Sequence, residues 1–285
     1  VSRGLGDVYK RQVLSSNFKT ICTPGNFNNH IGLPLSLFEI RHDTEFAVIE
    51  MGANNFGEIA FLTSLCEPDY GYITNFGKAH LEGFIDINGV IKAKTELYEW
   101  IIKNDKTLLI NGEDKNQKKF DNHKHIMFGC GENFQFNFRE KNNDFVNVLH
   151  DNYLFETKLY GTYNYSNVCA AIALGLEFGI DKNQINQSLK NYQPNNNRSE
   201  IIKIGDKRIV LDAYNANPSS VEEAIKSFSI RCLYKPLSNS TALISLFSFI
   251  NRAKAVAYEA NFVLPPGNKP SNLFKSVSYT HLRAH

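Results

Sequence analysis

At 285 residues, with 42% hydrophobic and 21% charged residues, the chain has a globular composition and enough length to bury one large core or two ordinary ones. A net charge of +2 with Lys and Arg scattered gives no electrostatic case for nucleic acid, and no run reaches the roughly 18 apolar residues of a membrane span. The cysteines (Cys22, Cys66, Cys130, Cys169, Cys232) stand far apart with no CxxC pair, which indicates neither a zinc site nor a disulfide framework and fits a reducing cytoplasm.

Residues 1–12 (VSRGLGDVYKRQ) show no apolar periodicity and no signal-peptide architecture, and residues 276–285 (SVSYTHLRAH) are equally patternless. Both are expected to be foreign adapter sequence, with the natural protein cut at each end. Between them, β-rich apolar runs alternate with helical patterns. Strands are predicted at Lys19–Thr23, Phe46–Glu50, Gly71–Thr74, Thr107–Asn111, His125–Phe128 and Arg208–Asp212, and helices at Ile31–Phe38, Phe56–Ser64, Gly89–Ile102 and Ser166–Phe178. This alternation predicts an α/β fold with a mostly parallel sheet. Four runs end in oxygen-bearing or Gly-rich turns (Thr23-Pro-Gly-Asn26, Glu50-Met-Gly-Ala-Asn54, Thr74-Asn75 and Asn111-Gly-Glu-Asp114), which predicts one shared crevice at the carboxyl ends of the strands.

From Phe134 to Tyr160 short polar–apolar alternations predict a small β-meander. A helix follows Asn164, and Asn191–Asn197 reads as a linker. Ile201–Asp212 predicts a hairpin around Gly205-Asp206 that opens a second, Rossmann-like α/β unit. Beyond about Ser229 the strand–turn–helix rhythm stops, and Pro236, Pro265, Pro266 and Pro270 fall at no useful position. A frameshift or chimera is expected over 230–285, leaving 13–194 as the principal domain and 195–229 as the start of the next.

On a helix, Val90, Lys94, Leu97 and Ile101 share one face, so Lys94 sits within an apolar seam while Lys92, Glu96 and Glu99 can point outward. Either Lys94 snorkels to water past Leu97, or its charge is altered or paired in a site. Glu50, directly after Ala47-Val-Ile49, suits a hard cation such as Mg²⁺, or else serves as a turn or capping carboxylate. His80, in the loop FGKAHLEGF, is either a solvated histidine or a metal ligand or general acid/base. In Asp212-Ala-Tyr-Asn-Ala-Asn-Pro218, Asp212 suits ribose hydroxyls and Tyr214 suits stacking on a base, while Asn217, Pro218, Glu222 and Glu223 also read as a helix start. No GxxxxGKS/T occurs, and no GxGxxG follows the first strand, which disfavours a dehydrogenase.

Together these segments resemble the Mur ligases, ATP-dependent amide-bond-forming enzymes of peptidoglycan synthesis. The resemblance rests on TPGNFNNHIGLP (23–34), EMGAN (50–54) with Gly57-Glu58-Ile59, Ile73-Thr-Asn75, AHLEGF (79–84), Ala93-Lys94 with Glu96, and DAYNANP (212–218), and it spans about Val13 to Ser229. It implies that 13–194 is the central ATP-binding domain and that Glu50 and His80 hold Mg²⁺. It also implies that Lys94 is carbamylated and serves a magnesium ion, with His80 and Lys94 in the catalytic set. Asn164 and Asn167 in GTYNYSN resemble the family's GxHNxxN nucleotide motif, with Tyr163 in place of the common histidine. Asn75, Arg198, Asp212, Tyr214 and Asn215 fall on the ATP side, and Asn28 and Asn29 on the UDP-sugar-peptide side.

The implied reaction activates a substrate carboxylate with ATP as an acyl phosphate, which an amine then displaces. NFNNHIGLP and EMGANNFGEI favour the branch that joins D-alanyl-D-alanine to UDP-N-acetylmuramoyl-tripeptide. The alternatives are a diamino-acid-adding, folylpolyglutamate synthetase-like or cyanophycin synthetase-like sibling, or a non-catalytic nucleotide-binding fragment. The implied protein is cytoplasmic and monomeric, without nucleic-acid or membrane partners. The family's phosphate-binding loop would fall just before Val13, where this sequence has none, and the UDP-binding domain is not in it either. The chain as written is therefore expected to bind ATP poorly and to be inactive.

Overall fold

Strands and helices alternate as the sequence pattern requires. A computed structural model describes residues 5–77, 84–131, 133–141, 145–193, 200–204, 207–211, 241–249 and 252–259. Strands β1 (Thr20–Cys22) and β2 (Phe46–Val48) pair in parallel. Strands β3 (Tyr70–Tyr72), β4 (Thr107–Asn111), β5 (His125–Gly129) and β6 (Phe136–Asn137) form a second parallel sheet in that order. The connecting helices are α1 (Leu5–Leu14), α2 (Gly32–Leu37), α3 (Glu58–Cys66), α4 (Ile87–Lys103), the short α5 (Lys115–Lys118), α6 (Tyr165–Glu177) and α7 (Lys182–Asn191).

The apolar runs of β4 and β5 are continuous because both faces of this sheet are covered, and the two-residue strand period divides them between two cores. Leu109, Ile126 and Phe128 join Val168, Ile172 and Leu174 of α6 on one face. Leu108, Ile110 and Met127 join Tyr98 and Ile101 of α4 on the other. A one-residue slip of either strand would exchange the two sets, so the register is held from both sides.

The reading of residues 1–12 as patternless is corrected from Leu5 onward. Helix α1 presents Tyr9 and Val13 at i and i+4, both fully buried, and lies against α6. Gly175 permits that approach, since a Cβ there would come within 2.6 Å of Val13 Cγ1. Within 1–12 the apolar positions Leu5, Val8 and Tyr9 make barely one helical turn, and the face is completed only by Val13 and Leu14 beyond that segment.

The predicted meander splits in two. Its first strand, β6, extends the parallel sheet. The other three, β7 (Arg139–Lys141), β8 (Asn147–His150) and β9 (Tyr153–Glu156), form a separate antiparallel sheet. The β8–β9 hairpin turns on Asp151 and Asn152, both with positive φ (47° and 62°), the backbone a tight two-residue turn demands. Helices α5 and α7 are additions to the predicted set, each begun by an aspartate, Asp114 and Asp181, accepting from the N–H two residues on.

The expected hairpin is present as β10 (Glu200–Ile204) against β11 (Lys207–Leu211), antiparallel. The expectation of no strand rhythm after Ser229 is corrected in two places. Strand β12 (Thr241–Phe249) runs parallel to β11, and β13 (Arg252–Glu259) returns antiparallel to β12. TALISLFSF and RAKAVAYE are free of proline and glycine, and the four prolines of this region lie outside both.

Burial pushes the Cys66 thiol, at the end of α3, from its ordinary 9.0 up to about 11, with Asp69 adding to the rise. The unfolded thiol ionises near its ordinary value and the folded one does not. This stabilisation is therefore complete below about pH 9 and is lost as pH climbs toward 11. Thiol labelling at pH 8 with peptide mapping is expected to modify exposed Cys130 well before Cys66. Equal rates would contradict the burial.

Candidate active site

A cavity of about 530 Å³ runs along the length of β2 and β3, and of the four predicted turns only those after β2 (Glu50 to Ala53) and after β3 (Thr74) line it among the described residues. Among the described strands β2 pairs with β1 and β3 with β4, so each turns its other edge toward this space. One wall runs from Phe46 to Ala53 and the other from Glu67 to Thr74, with Lys10 and Leu14 of α1 at the side and Lys94 of α4 completing it.

Glu50 reaches this cavity from the segment that leaves β2. Its N–H donates to Thr23 Oγ1 at 2.8 Å, which fastens it to the end of β1. Its carboxylate accepts from Asn28 Nδ2 at 2.8 Å, and the Gly52 N–H donates to the Asn28 carbonyl at 2.8 Å. Gly52 has to be glycine for this fit, because a Cβ would fall 2.9 Å from Asn28 Nδ2. TPGNFNN and EMGAN are therefore one cross-braced unit that aims a half-buried carboxylate. The capping work at α3 is done elsewhere: Glu58 accepts from the Asn54 N–H at 2.7 Å, and Glu96 accepts from the N–H groups of Gly57 (2.7 Å) and Ala60 (3.0 Å). Glu96, read as free to point outward, is thus committed to α3.

Asn28 and Asn29 part company. Asn28 orients Glu50, whereas Asn29 Oδ1 accepts from the N–H groups of Ile31 (3.0 Å) and Gly32 (2.9 Å) and starts α2.

Helix α4 carries Lys94 as its pattern required. Val90 and Ile101 are buried on the same face, and Lys92 and Glu99 are exposed. Lys94 does not snorkel outward past Leu97. Its Nζ donates to the Asn75 carbonyl at 2.6 Å, in the turn after β3, while Asn75 Oδ1 accepts from the Gly77 N–H at 3.0 Å and folds that turn. Glu50 and Lys94 accordingly line the same cavity.

Asn164 and Asn167 stand apart from this cavity, at the start of α6. Asn164 is fully buried and donates through Nδ2 to the Tyr160 carbonyl at 3.0 Å. Asn167 is nearly so, with a buried Oδ1 that has no hydrogen-bond partner among the described residues. Beside them, burial drives the Tyr165 phenol and the Cys169 thiol upward, and Glu113, in the turn after β4, adds to both. His80, Arg198, Asp212, Tyr214 and Asn215 lie outside the described residues. Two contributors escaped the sequence reading, Thr23 as the brace of Glu50 and Gln117, treated below. Thr23 sits inside a recognised motif, but Gln117 lies in the polar run DKNQKK and gives no signal at all.

Among the described residues no three His, Cys, Asp or Glu side chains converge as a metal cluster. The donor chemistry at Glu50 nonetheless fits a hard cation: an oxygen anion on the cavity wall, oriented by a neutral amide. Lys94 as an ammonium cannot ligate, and it fits the same ion only once converted to an anion.

The sequence pattern of the Mur ligase middle domain matches residues 9–175. This chain belongs to the Mur ligases. The match begins inside the segment expected to be foreign, in agreement with the packing of α1. Over 220 residues the chain is 33% identical to the UDP-N-acetylmuramoyl-tripeptide–D-alanyl-D-alanine ligase of Bacillus subtilis (strain 168), covering 75% of this chain and 48% of that protein. It is 31% identical to the ligase of the same name from Haemophilus influenzae over 278 residues, 91% of this chain and 59% of that one. A crystal structure of MurF from Acinetobacter baumannii superposes with a TM-score of 0.72 at 27% identity, over 80% of this Mur ligase chain and 52% of that one. The chain spans about half the length of the curated relatives it matches.

Proposed function

We propose that this protein is an ATP-dependent ligase that joins D-alanyl-D-alanine to UDP-N-acetylmuramoyl-tripeptide, acting as a monomer in the cytoplasm. The observation that carries the reading is the placement of Glu50 and Lys94 in the lining of one cavity, each held by a loop of the family motifs. The names of the relatives support the choice of substrates.

The chemistry starts with attack of the tripeptide carboxylate on the γ-phosphate of ATP, which breaks the bond to the β–γ bridging oxygen and releases ADP, leaving an acyl phosphate. The amine of D-alanyl-D-alanine then displaces phosphate from the acyl phosphate. Two anions must approach each other in the first step, so the site's task is positioning and charge compensation. Mg²⁺, held by Glu50, His80 and a carbamylated Lys94, would supply positive charge to the phosphate oxygens. Asn28 keeps the Glu50 carboxylate oriented, and the Asn75 carbonyl fixes the end of Lys94. Arg198, Asp212, Tyr214 and Asn215 are assigned to the nucleotide, with Asn164 and Asn167 shaping the loop beside it. Asn29 acts on the sugar-peptide side through the start of α2.

The test is a hybrid enzyme in which residues 9–175 replace the matching stretch of the B. subtilis relative. Phosphate release is expected to require ATP, UDP-N-acetylmuramoyl-tripeptide and D-alanyl-D-alanine together, and to fall by about a hundredfold or more in Glu50→Gln. A folded hybrid that binds ATP but releases no phosphate, or one indifferent to Glu50→Gln, would overturn the reading.

A further inference from the structure

Gln117 is the one residue of the short helix α5 that is wholly buried, and its neighbours Lys115, Asn116 and Lys118 give no hint of why a polar amide should be there. Its hydrogen bonds answer the question. Nε2 donates to the Ile73 carbonyl at 2.8 Å, and Oε1 accepts from the Asn111 N–H at 2.9 Å. The Tyr98 hydroxyl lies between the Leu109 carbonyl at 2.8 Å and Gln117 Oε1 at 3.1 Å. The amide has one satisfying orientation, since the Ile73 carbonyl needs a donor and the Asn111 N–H an acceptor.

These partners belong to the three elements that build the Lys94 side of the cavity. Ile73 stands two residues before Asn75, whose carbonyl holds Lys94 Nζ at 2.6 Å. Asn111 ends β4, and Tyr98 lies one helical turn beyond Lys94 on α4. A buried amide that loses its partners leaves a carbonyl and an N–H unsatisfied, so the three elements cannot drift apart independently.

We propose that Gln117 is a positioning residue for Lys94: it locks the β3 turn, the end of β4 and α4 together and so sets where the Lys94 side chain ends in the cavity. It touches no substrate. The proposal rests on the reading of Glu50 and Lys94 as one cation site, and the experiment separates the two.

Mn²⁺ binding to the purified chain is titrated by electron paramagnetic resonance in bicarbonate buffer, beside thermal melts, for Gln117→Met, Lys94→Met and the remote core variant Phe155→Leu. Gln117→Met keeps the volume and removes the hydrogen bonds. It is expected to weaken Mn²⁺ binding about tenfold, whereas Phe155→Leu lowers the melting temperature without moving Mn²⁺ affinity. Gln117→Glu, which keeps both acceptor contacts and loses the donor, is expected to fall between parent and Gln117→Met. Should Gln117→Met fail to fold, Tyr98→Phe deletes the hydroxyl beside Oε1 and is expected to cost about two- to fivefold in affinity. Unchanged affinity in Gln117→Met, or in Tyr98→Phe in its stead, together with loss in Lys94→Met, overturns the positioning role and leaves the site reading standing. Unchanged or raised affinity in Lys94→Met overturns both.

Discussion

Phe128→Ala is expected to remove about 3–5 kcal/mol of unfolding free energy, the cost of deleting a large aromatic side chain from a packed core. Phe128 is 1% exposed on β5, between β4 and β6. Its ring lies 6.0 Å from that of Tyr72 and 6.3 Å from that of Phe138, so it ties β3 and the segment after β6 to the core under α6. Neighbours on three elements cannot all collapse into the space it leaves, and the cavity term adds to the lost burial. Against a total of about 5–15 kcal/mol for a domain, the variant would retain little margin. Urea denaturation with the slope unchanged is the measurement. Phe38→Ser, at a position 75% exposed with ordinary helical backbone, serves as the control and is expected to shift stability by about 0.5 kcal/mol or less. A loss under about 2 kcal/mol in Phe128→Ala would contradict the placement of β5 at the centre of the sheet.

The elements with strong local signals were legible, and the elements built by tertiary contact were not. Val90, Lys94, Leu97 and Ile101 announce α4 because four positions at helical spacing repeat over a long segment, and the observed helix runs from Ile87 to Lys103. The same rule fails for α1, where Tyr9 and Val13 make a face only in the presence of Val13's neighbour Gly175. It fails again for α5, a single turn begun by Asp114 whose buried residue is polar.

At the site, residue types and motif spacing pointed to Glu50 and Lys94, because a carboxylate after an apolar run and a lysine in an apolar seam are each out of place. What they bind inside the protein was hidden. That Lys94 turns to a backbone carbonyl, that Asn28 rather than Asn29 serves the carboxylate, and that Glu96 reaches back to α3 are all contacts between segments tens of residues apart. A charged side chain in sequence carries no mark of which distant backbone group it meets.

Asn28→Ala is expected to weaken divalent-cation binding at Glu50 by about 10–100-fold while leaving the fold intact. The Asn28 amide donates to the carboxylate at 2.8 Å, and such a bond to a charged acceptor is worth about 1.5–3 kcal/mol, which is itself a factor of about ten to a hundred. Removing it frees Glu50 to rotate, so a cation would have to order the carboxylate on binding. The loss falls on affinity rather than stability because Asn28 is only partly buried and its backbone brace, the Gly52 N–H to the Asn28 carbonyl at 2.8 Å, survives the substitution. Gly52→Ala attacks the same contact from the other side. Its Cβ would sit 2.9 Å from Asn28 Nδ2, and that amide can swing away at little cost to the fold but not without leaving Glu50. The two variants should therefore move Mn²⁺ affinity in the same direction, with melting temperatures close to the parent, and the double variant should be little worse than Asn28→Ala alone, because both act through one hydrogen bond. Affinities unchanged in both, or strictly additive losses in the double variant, would show that Asn28 does not aim the Glu50 carboxylate.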